Sequence, residues 1–188
     1  MYPYYLFKNE LEKDFCRLIS EYAEDNPMNL AEVRMDGGDT KDLSVRNSNI
    51  TWLGNSELVE ALVTYASRAN REAGWNFDIM SYESPQYTSY GEGQFYDWHV
   101  DTGVEKEDDF VYRKLSMVIA LNEEFKGGDF QIQTWNPPNS KVRYSTVLPM
   151  RQAGTIVVFP SILYHRVTPV TSGIRKSLVC WFRGPSFR

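Results

Sequence analysis

The chain has 188 residues, of which 42% are hydrophobic and 14% aromatic, and its formal net charge is -5. This apolar content excludes a disordered chain, and the length is sufficient for a hydrophobic core that needs no disulfides. The negative charge argues against a nucleic acid or an anionic membrane surface as a partner, because both bind basic surfaces. Cys16 and Cys180 lie far apart and outside any metal-binding pair motif, so we expect both to be reduced core residues.

Helices are predicted in the N-terminal part of the chain. The segment ELEKDFCRLISEYAE has apolar residues at helical spacing, and Asn9 before it is a candidate N-cap. The expected apolar face of this helix consists of Leu11, Phe15, Leu18, Ile19 and Tyr22. A second helix is predicted from Ser56 to Ala73 and would be ended by Gly74. Its apolar face would consist of Leu58, Leu62, Tyr65 and Ala66.

Strands are predicted from Trp75 onward, where short runs of β-branched and aromatic residues alternate with turn residues. The predicted strands are Asn76–Ser81, Gln86–Tyr90, Gln94–Val100, Val111–Leu121, Asp129–Thr134, Arg143–Val147, Gly154–Phe159, Tyr164–Val167 and Arg175–Phe182. This order predicts a mainly β (α+β) fold, namely a double-stranded β-helix (jelly-roll, cupin-like) barrel with supporting N-terminal helices. We therefore expect a single domain over residues 1–188, with helical support over about 1–74 and the jelly-roll core over about 75–184.

Neither a membrane span nor a secretory signal is predicted. No apolar run approaches the roughly 18 residues that a spanning helix needs. The first residues, MYPYYLFKNELEKDF, lack the basic start and the apolar core of a signal peptide. We therefore expect a cytoplasmic protein without a membrane partner.

The only two histidines of the chain are placed where a metal site would need them. His99 lies near the end of the predicted strand Gln94–Val100, and Asp101 directly follows that strand. Residues two apart share one face of a strand, so both side chains would face the barrel interior. His165 lies on a distant predicted strand that a jelly roll can bring beside the first. Two histidines and one carboxylate form the facial triad of non-haem iron(II) oxygenases, which leaves positions for a cosubstrate and O2. The sequence therefore predicts that His99, Asp101 and His165 are metal ligands and catalytic residues.

A basic residue, Arg175, follows the second histidine, His165, by ten residues. A cosubstrate such as 2-oxoglutarate has a second carboxylate, which must be neutralised when it is buried. Arg175 is expected to face the interior on a strand that forms a hairpin with the strand of His165. Ser177 would lie on the same face of that strand and could donate a hydrogen bond to the same carboxylate. Arg175 and Ser177 are thus the predicted anchor of the cosubstrate.

The run YGEGQFYDWHVD, from Tyr90 to Asp101, resembles the 2-oxoglutarate- and Fe(II)-dependent dioxygenases of the prolyl 4-hydroxylase type, including the bacterial PKHD-type hydroxylases. It matches the motif Y-x-x-G-Q-x-Y-x-x-H-x-D of that family at every specified place. The second half of the family pattern is matched by His165, Arg175 and Trp181. The resemblance implies Fe(II), 2-oxoglutarate and O2, with ascorbate as a supporting reductant.

The resemblance also implies roles for further residues. Tyr90 would donate its hydroxyl to the far carboxylate of 2-oxoglutarate, beside Arg175. The residues expected on the substrate side are Tyr96, Arg113, Trp181 and Arg183. The chain departs from the prolyl 4-hydroxylase pattern at Arg183, where a histidine is common, and at Ala120, where a tyrosine is usual. These departures leave the predicted iron chemistry unchanged, but they weaken the assignment of the substrate by resemblance.

The implied reaction is hydroxylation of a C–H bond of a prolyl residue in a peptide or protein, with release of succinate and CO2. The same chemistry on another amino-acid residue or on a free small molecule is the first alternative. A metalloenzyme that does not use 2-oxoglutarate, and a non-catalytic cupin-like binding module, are the others. Residues 36–49 and 102–109 flank the expected site, as lids or as plain surface loops.

Overall fold

A computed structural model describes residues 2–35, 38–40, 42–54, 56–102, 111–134 and 143–186. The helices are α1 (Lys13–Glu24), α2 (Ser56–Glu72) and a short 3-10 helix, Leu148–Arg151. The strands are β1 (Tyr5–Phe7), β2 (Asn29–Leu30), β3 (Val33–Met35), β4 (Gly38–Thr40), β5 (Arg46–Asn47), β6 (Asn49–Trp52), β7 (Ser81–Tyr82), β8 (Gln86–Tyr90), β9 (Phe95–His99), β10 (Val111–Ala120), β11 (Phe125–Gly127), β12 (Phe130–Gln133), β13 (Tyr144–Thr146), β14 (Ile156–Pro160), β15 (His165–Val167), β16 (Val170–Gly173) and β17 (Arg175–Pro185). Among these residues, no helix combines the length and the apolar character needed to cross a membrane.

Two antiparallel sheets form the barrel. The larger sheet has the strand order β1-β14-β10-β17-β8-β6-β2, with β7 also paired to β17. The smaller sheet has the order β13-β12-β15-β9-β5. Strands that are distant in the sequence are neighbours in both sheets, as β17 is of β8 and β15 is of β9. This is the arrangement that the predicted jelly roll requires.

Apolar side chains cover both faces of the larger sheet. The face toward the smaller sheet carries a cluster that includes Tyr90, Val118, Ala120, Phe130, Ile132, Val157, Phe159 and Val167. The opposite face packs against α1 and α2 in a cluster that includes Cys16, Leu62, Leu115, Met117, Ile119, Leu178 and Phe182. Side chains alternate along β10, so its even-numbered residues from 116 to 120 face the smaller sheet. The helices therefore lie outside the barrel, and the space between the sheets is left for the site.

Helix α1 is present, but it presents a different face from the one predicted. It begins at Lys13, and Asn9 has a positive φ of 49°, so the predicted N-cap is wrong. The buried residues of α1 are Cys16, Ile19, Ser20 and Ala23. The predicted face is wrong for Phe15, Leu18 and Tyr22, which are exposed. Small side chains let the helix approach the sheet closely, and Sγ of Cys16 lies 3.9 Å from the carbonyl oxygen of Ala120.

The other predicted elements agree with the structure except at one strand. Helix α2 begins at Ser56 and is followed by Gly74, whose φ of 74° suits the end of a helix. The predicted strand Asn76–Ser81 is wrong, because only its last residue is part of β7. The side chain of Asn70 bonds both the N–H and the carbonyl of Phe77 instead. This backbone is therefore satisfied without a partner strand.

Candidate active site

Three potential metal ligands meet where β9 and β15 lie side by side. The strands are antiparallel neighbours, and His99 is directly opposite His165. The carboxylate oxygens of Asp101 lie 3.6 Å from Nε2 of His99 and 3.5 Å from Nε2 of His165. One ligand atom from each of the three residues lies within 4.8 Å of the others. The structure thus brings together all three predicted metal-binding residues.

Each imidazole is oriented by a backbone carbonyl. Nδ1 of His99 lies 2.8 Å from the carbonyl oxygen of Asp97, and Nδ1 of His165 lies 3.0 Å from that of Leu163. Because a carbonyl only accepts, Nδ1 carries the hydrogen in both rings, and Nε2 keeps a lone pair on the side of Asp101. Burial, together with the neighbouring His165, lowers the pKa of His99 to about 3. His99 is therefore neutral at pH 7, which is the form that binds a metal.

A β-bulge places an aromatic ring against this site. His99 pairs with His165 and Tyr96 with Val167, so two residues of β9 oppose one of β15. The bulge brings Tyr96 and His99 to the same side, where their rings stack with centroids 3.4 Å apart and planes 10° apart. Regular alternation would have separated them. The guanidinium of Arg46 lies 4.5 Å from the centroid of the Tyr96 ring. Burial raises the pKa of Tyr96 to about 12, so its phenol is neutral.

The carboxylate of Asp101 is held by residues that the sequence analysis missed. The predicted strand Gln94–Val100 extends one residue too far at its end, because β9 ends at His99, and Asp101 lies two residues beyond it. The hydroxyl of Ser116 lies 2.6 Å from Oδ2 of Asp101 and 2.9 Å from the hydroxyl of Ser161. Burial opposes ionisation, yet the two histidines, Arg113 and Ser116 together bring the pKa of Asp101 to about 2. The sequence signal for Ser116 is a single hydroxyl in the otherwise apolar run LSMVIAL.

Arg175 is a buried cation with an open hydrogen-bonding position. Its side chain lies on β17 and the residue is only 2% exposed. Nη1 lies 3.0 Å from the hydroxyl of Ser177, whereas Nη2 has no hydrogen-bond partner in the part of the chain that the structure describes. The guanidinium carbon lies 5.5 Å from the centroid of the Tyr90 ring, and Tyr90 is the residue opposite Arg175 on β8. Burial lowers the pKa of Arg175. An acidic ligand would satisfy both the charge and the free nitrogen.

The route from His165 to Arg175 differs from the predicted hairpin. Strand β15 already has neighbours on both sides, β12 and β9, so it has no free edge for β17. The chain instead forms β16, which pairs with β11, and then enters the larger sheet between β10 and β8. The predicted pairing of the two strands is therefore wrong, although Arg175 does lie on the interior face of its own strand.

A second β-bulge sets the position of the predicted substrate residues. Arg113 pairs with Arg183, whereas Leu115 pairs with Phe182, so Lys114 is the extra residue of β10. Without the bulge, Arg113 would point toward the helices, away from Ser116. With it, Arg113, Ser116, Trp181 and Arg183 share the interior face of the larger sheet.

Arg113 and Arg183 form an ion-pair cluster with Glu83, here called the mouth cluster, and Trp181 packs against it. The Arg113 guanidinium donates hydrogen bonds to both carboxylate oxygens of Glu83 and lies 3.9 Å from the centroid of the Trp181 ring. Nε of Arg183 lies 3.9 Å from Oε1 of Glu83, and its Nη2 donates to the carbonyl of Val111 at 3.1 Å. Glu83 is a further residue that the sequence analysis missed, since it lies in no motif. Of the predicted substrate residues, Tyr96 lies apart from the mouth cluster, beside His99.

The two segments proposed as lids have different outcomes. Arg46 and Asn47 form β5, which pairs with β9, and Arg46 is buried and donates to Ser48 and Gln86. A lid role is therefore wrong for this part of residues 36–49, which belongs to the barrel wall. Residues 36, 37 and 41 lie outside the described part of the chain. The same holds for 103–109, so the second lid stays a prediction.

Comparison with known proteins gives matches over the part of the chain that contains this site. A sequence model of the 2OG-Fe(II) oxygenase superfamily matches residues 85–183, which contain the triad and Arg175. A PKHD-type hydroxylase of Hyphomonas neptunium is 34% identical over 107 residues, which are 55% of this chain and 44% of that protein. A PKHD-type hydroxylase of Alteromonas mediterranea is 32% identical over 104 residues, 53% of this chain and 42% of that protein. The match thus covers less than half the length of these relatives.

The fold has a counterpart among solved structures. A prolyl-4-hydroxylase from Pseudomonas putida superimposes with a TM-score of 0.74 at 22% identity, covering 99% of this chain and 95% of that one. This likeness confirms the predicted double-stranded β-helix. Since the superfamily model spans more than half of the residues, the chain belongs to the 2OG-Fe(II) oxygenase superfamily.

Proposed function

We propose that this protein is a hydroxylase that uses Fe(II), 2-oxoglutarate and O2 and acts on a prolyl residue of a peptide or protein. One observation carries the proposal. Inside the same barrel, the clustered donors of His99, Asp101 and His165 accompany a buried Arg175 that has an open hydrogen-bonding position. The first feature fits a divalent metal, and the second fits the far carboxylate of a dicarboxylic acid.

The donor set fits iron(II). Two imidazole nitrogens with free lone pairs and one carboxylate present three ligands from one side, and the hydrogen bonds at Nδ1 keep both rings in place. When bound, iron(II) with 2-oxoglutarate and O2 would supply the oxidation of a C–H bond, with release of succinate and CO2.

The remaining side chains would bind and orient the cosubstrate. Arg175 would pair with the far carboxylate through Nη2, Ser177 would hold Nη1, and the Tyr90 hydroxyl would add a hydrogen bond. The low exposure of Arg175 means that this ion pair would form away from water, where it is strong. Tyr96 would cover one face of the His99 ring and keep water from that face of the imidazole.

The choice of a prolyl substrate comes from the relatives. The matching curated proteins are named PKHD-type hydroxylases. A prolyl hydroxylase from Trichoplax adhaerens, solved with a hypoxia inducible factor peptide fragment, superimposes with a TM-score of 0.71 at 18% identity, covering 97% of this chain and 84% of that one. These names support a peptide substrate for this chain. Hydroxylation of another amino-acid residue or of a free small molecule would replace this proposal.

A cytoplasmic location, without a nucleic-acid or membrane partner, is proposed on composition. Cys16 and Cys180 are both free and buried, as expected for a protein kept in a reducing compartment. The net charge of -5 gives no electrostatic attraction to phosphate backbones or anionic lipids.

The test is turnover of proline-containing peptides with Fe(II), 2-oxoglutarate, O2 and ascorbate, read as succinate formation and as the mass of one added oxygen atom. Peptides in which alanine replaces proline, and free amino acids, are the competing substrates. D101A should abolish succinate formation, because it removes the carboxylate of the proposed triad. D14A, which removes an exposed aspartate from α1, is the matched control and should keep full activity. Full succinate formation by D101A would rule out the assignment of the triad.

A further inference from the structure

Two buried serines contact the proposed iron ligand Asp101, and the reaction above uses neither of them. Ser116 lies on β10 and Ser161 directly follows β14, and both are fully buried. The hydroxyl of Ser116 is 2.6 Å from Oδ2 of Asp101, and the two serine hydroxyls are 2.9 Å apart. Neighbouring interior positions such as Val118 and Phe159 are apolar. Two buried hydroxyls among apolar side chains are therefore not explained by packing alone.

The direction of these hydrogen bonds follows from the groups themselves. A carboxylate only accepts, so Ser116 donates its hydrogen to Asp101. Ser116 then has no hydrogen left, and the contact between the serines requires Ser161 to donate to Ser116. The three groups form one chain from Ser161 through Ser116 to Asp101. Each bond in such a chain strengthens the next.

Ser161 also holds the backbone of the aspartate. Its carbonyl oxygen accepts from the N–H of Asp101 at 3.0 Å and from the N–H of Thr102 at 3.1 Å. Asp101 lies beyond the end of β9, so these bonds replace the strand pairing that would otherwise hold it. The N–H of Ser161 donates in turn to the carbonyl oxygen of Lys114 on β10 at 3.0 Å. Backbone and side chain of the aspartate are thus both tied to the larger sheet, opposite the sheet that carries the histidines.

We propose that Ser116 and Ser161 are positioning residues that hold the Asp101 carboxylate by Oδ2 and so fix its orientation beside the Nε2 atoms of His99 and His165. This inference rests on the proposed function, because it requires the triad to hold a metal. A ligand whose orientation is fixed by a hydrogen-bond partner would bind the metal more tightly than one that is free to rotate.

The test is the affinity of the 188-residue chain for Mn(II), measured by calorimetry without cosubstrate. S116A should weaken Mn(II) binding about tenfold, the low end of what loss of a ligand's hydrogen-bond partner costs. S161A should weaken it less, because Ser116 still donates to Asp101. The double variant should bind like S116A, since the Ser161 side chain acts only through Ser116. S116T keeps the hydroxyl and should restore most of the affinity.

A matched control and a second readout separate positioning from folding. S20A removes a buried hydroxyl that bonds the carbonyl of Cys16 in α1, and it should leave Mn(II) affinity unchanged. The visible spectrum of the Co(II)-loaded protein should change in S116A, because the coordination of the metal changes, and should be unaltered in S20A. If S116A does not fold, S161A and S116T carry the same comparison.

The outcomes distinguish failure of the proposed function from failure of the inference alone. Wild-type protein that binds no Mn(II) would overturn the proposed function together with this inference. Wild-type protein that binds Mn(II), with serine variants of equal affinity and unchanged Co(II) spectra, would overturn the inference alone. A double variant weaker than S116A by the full effect of S161A would show that the serines act independently, which contradicts the hydrogen-bond chain.

Discussion

Arg175 differs from Arg113 and Arg183 in whether its positive charge has a carboxylate partner within the protein. Arg175, at the anchor end, is 2% exposed, and one of its terminal nitrogens has only the neutral Ser177 as a partner while the other has none among the described residues. Arg113 and Arg183, in the mouth cluster, share the carboxylate of Glu83. Among the described residues, the terminal nitrogens of Arg175 thus have no carboxylate partner, although Asp129 acts on the guanidinium electrostatically, whereas the arginines of the mouth cluster pair with Glu83.

This difference distinguishes an arginine that is available to a ligand from arginines that stabilise the barrel itself. A buried cation without a partner costs free energy until an anion arrives, so the protein keeps such a group where a ligand supplies the charge. An arginine that already binds a carboxylate has less to gain from an anionic ligand. It offers shape and aromatic contact instead, as Arg113 does on the ring of Trp181. The comparison predicts that changes at the anchor affect cosubstrate binding and changes at the mouth affect stability.

The largest effect is expected for R175Q. Loss of one partner from a buried ion pair costs about 2 kcal/mol or more, so KM for 2-oxoglutarate should rise at least about 30-fold. The free energy of unfolding without cosubstrate should stay equal or rise, since an uncompensated charge is removed. Succinate formation against 2-oxoglutarate concentration, with urea unfolding of the same preparation, measures both. R17Q, on the exposed face of α1, is the control. A large loss of stability with unchanged KM would contradict the anchor assignment.

An effect of intermediate size is expected for E83Q, and it should be on stability instead of cosubstrate binding. The variant leaves Arg113 and Arg183 without their shared carboxylate. The side chain of Glu83 is 19% exposed, so the cost is below that of a fully buried pair. We expect the free energy of unfolding to fall by about 1–2 kcal/mol, measured in urea. The affinity for 2-oxoglutarate should not change. A raised KM for 2-oxoglutarate in E83Q would break the distinction between the two regions.

The smallest effect is expected for Y90F. It removes one hydroxyl near Arg175 but keeps the ring beside the guanidinium. A single hydrogen bond contributes about 1 kcal/mol, so KM for 2-oxoglutarate should rise about fivefold. Y87F is the matched control, because the Tyr87 hydroxyl bonds Glu24 on the far side of the sheet. An effect of Y90F as large as that of R175Q would mean that charge does not dominate binding at the anchor.

Much of the fold and the ligand set were predictable because local patterns encode them. Runs of β-branched and aromatic residues bounded by turn residues gave the limits of β8 and β10 within a residue. The H-x-D spacing identified two candidate ligands, and His165 was the only remaining histidine. The failures have a physical cause too. The face of α1 was misjudged because small residues, not large ones, permit close packing against a sheet, as Cys16 does at Ala120.

The sequence by itself indicated which side chains could do the chemistry: His99, Asp101 and His165 as a candidate metal set and Arg175 as a candidate cationic anchor. Only the tertiary structure decided how they are arranged and supported. Bulges in β9 and β10 move side chains from one face to the other, and a one-residue shift of this kind is not visible in periodicity. The serines that hold Asp101 and the Glu83 of the mouth cluster act through contacts between strands distant in the chain. Such contacts follow from the order of strands in the sheets, which local spacing does not specify.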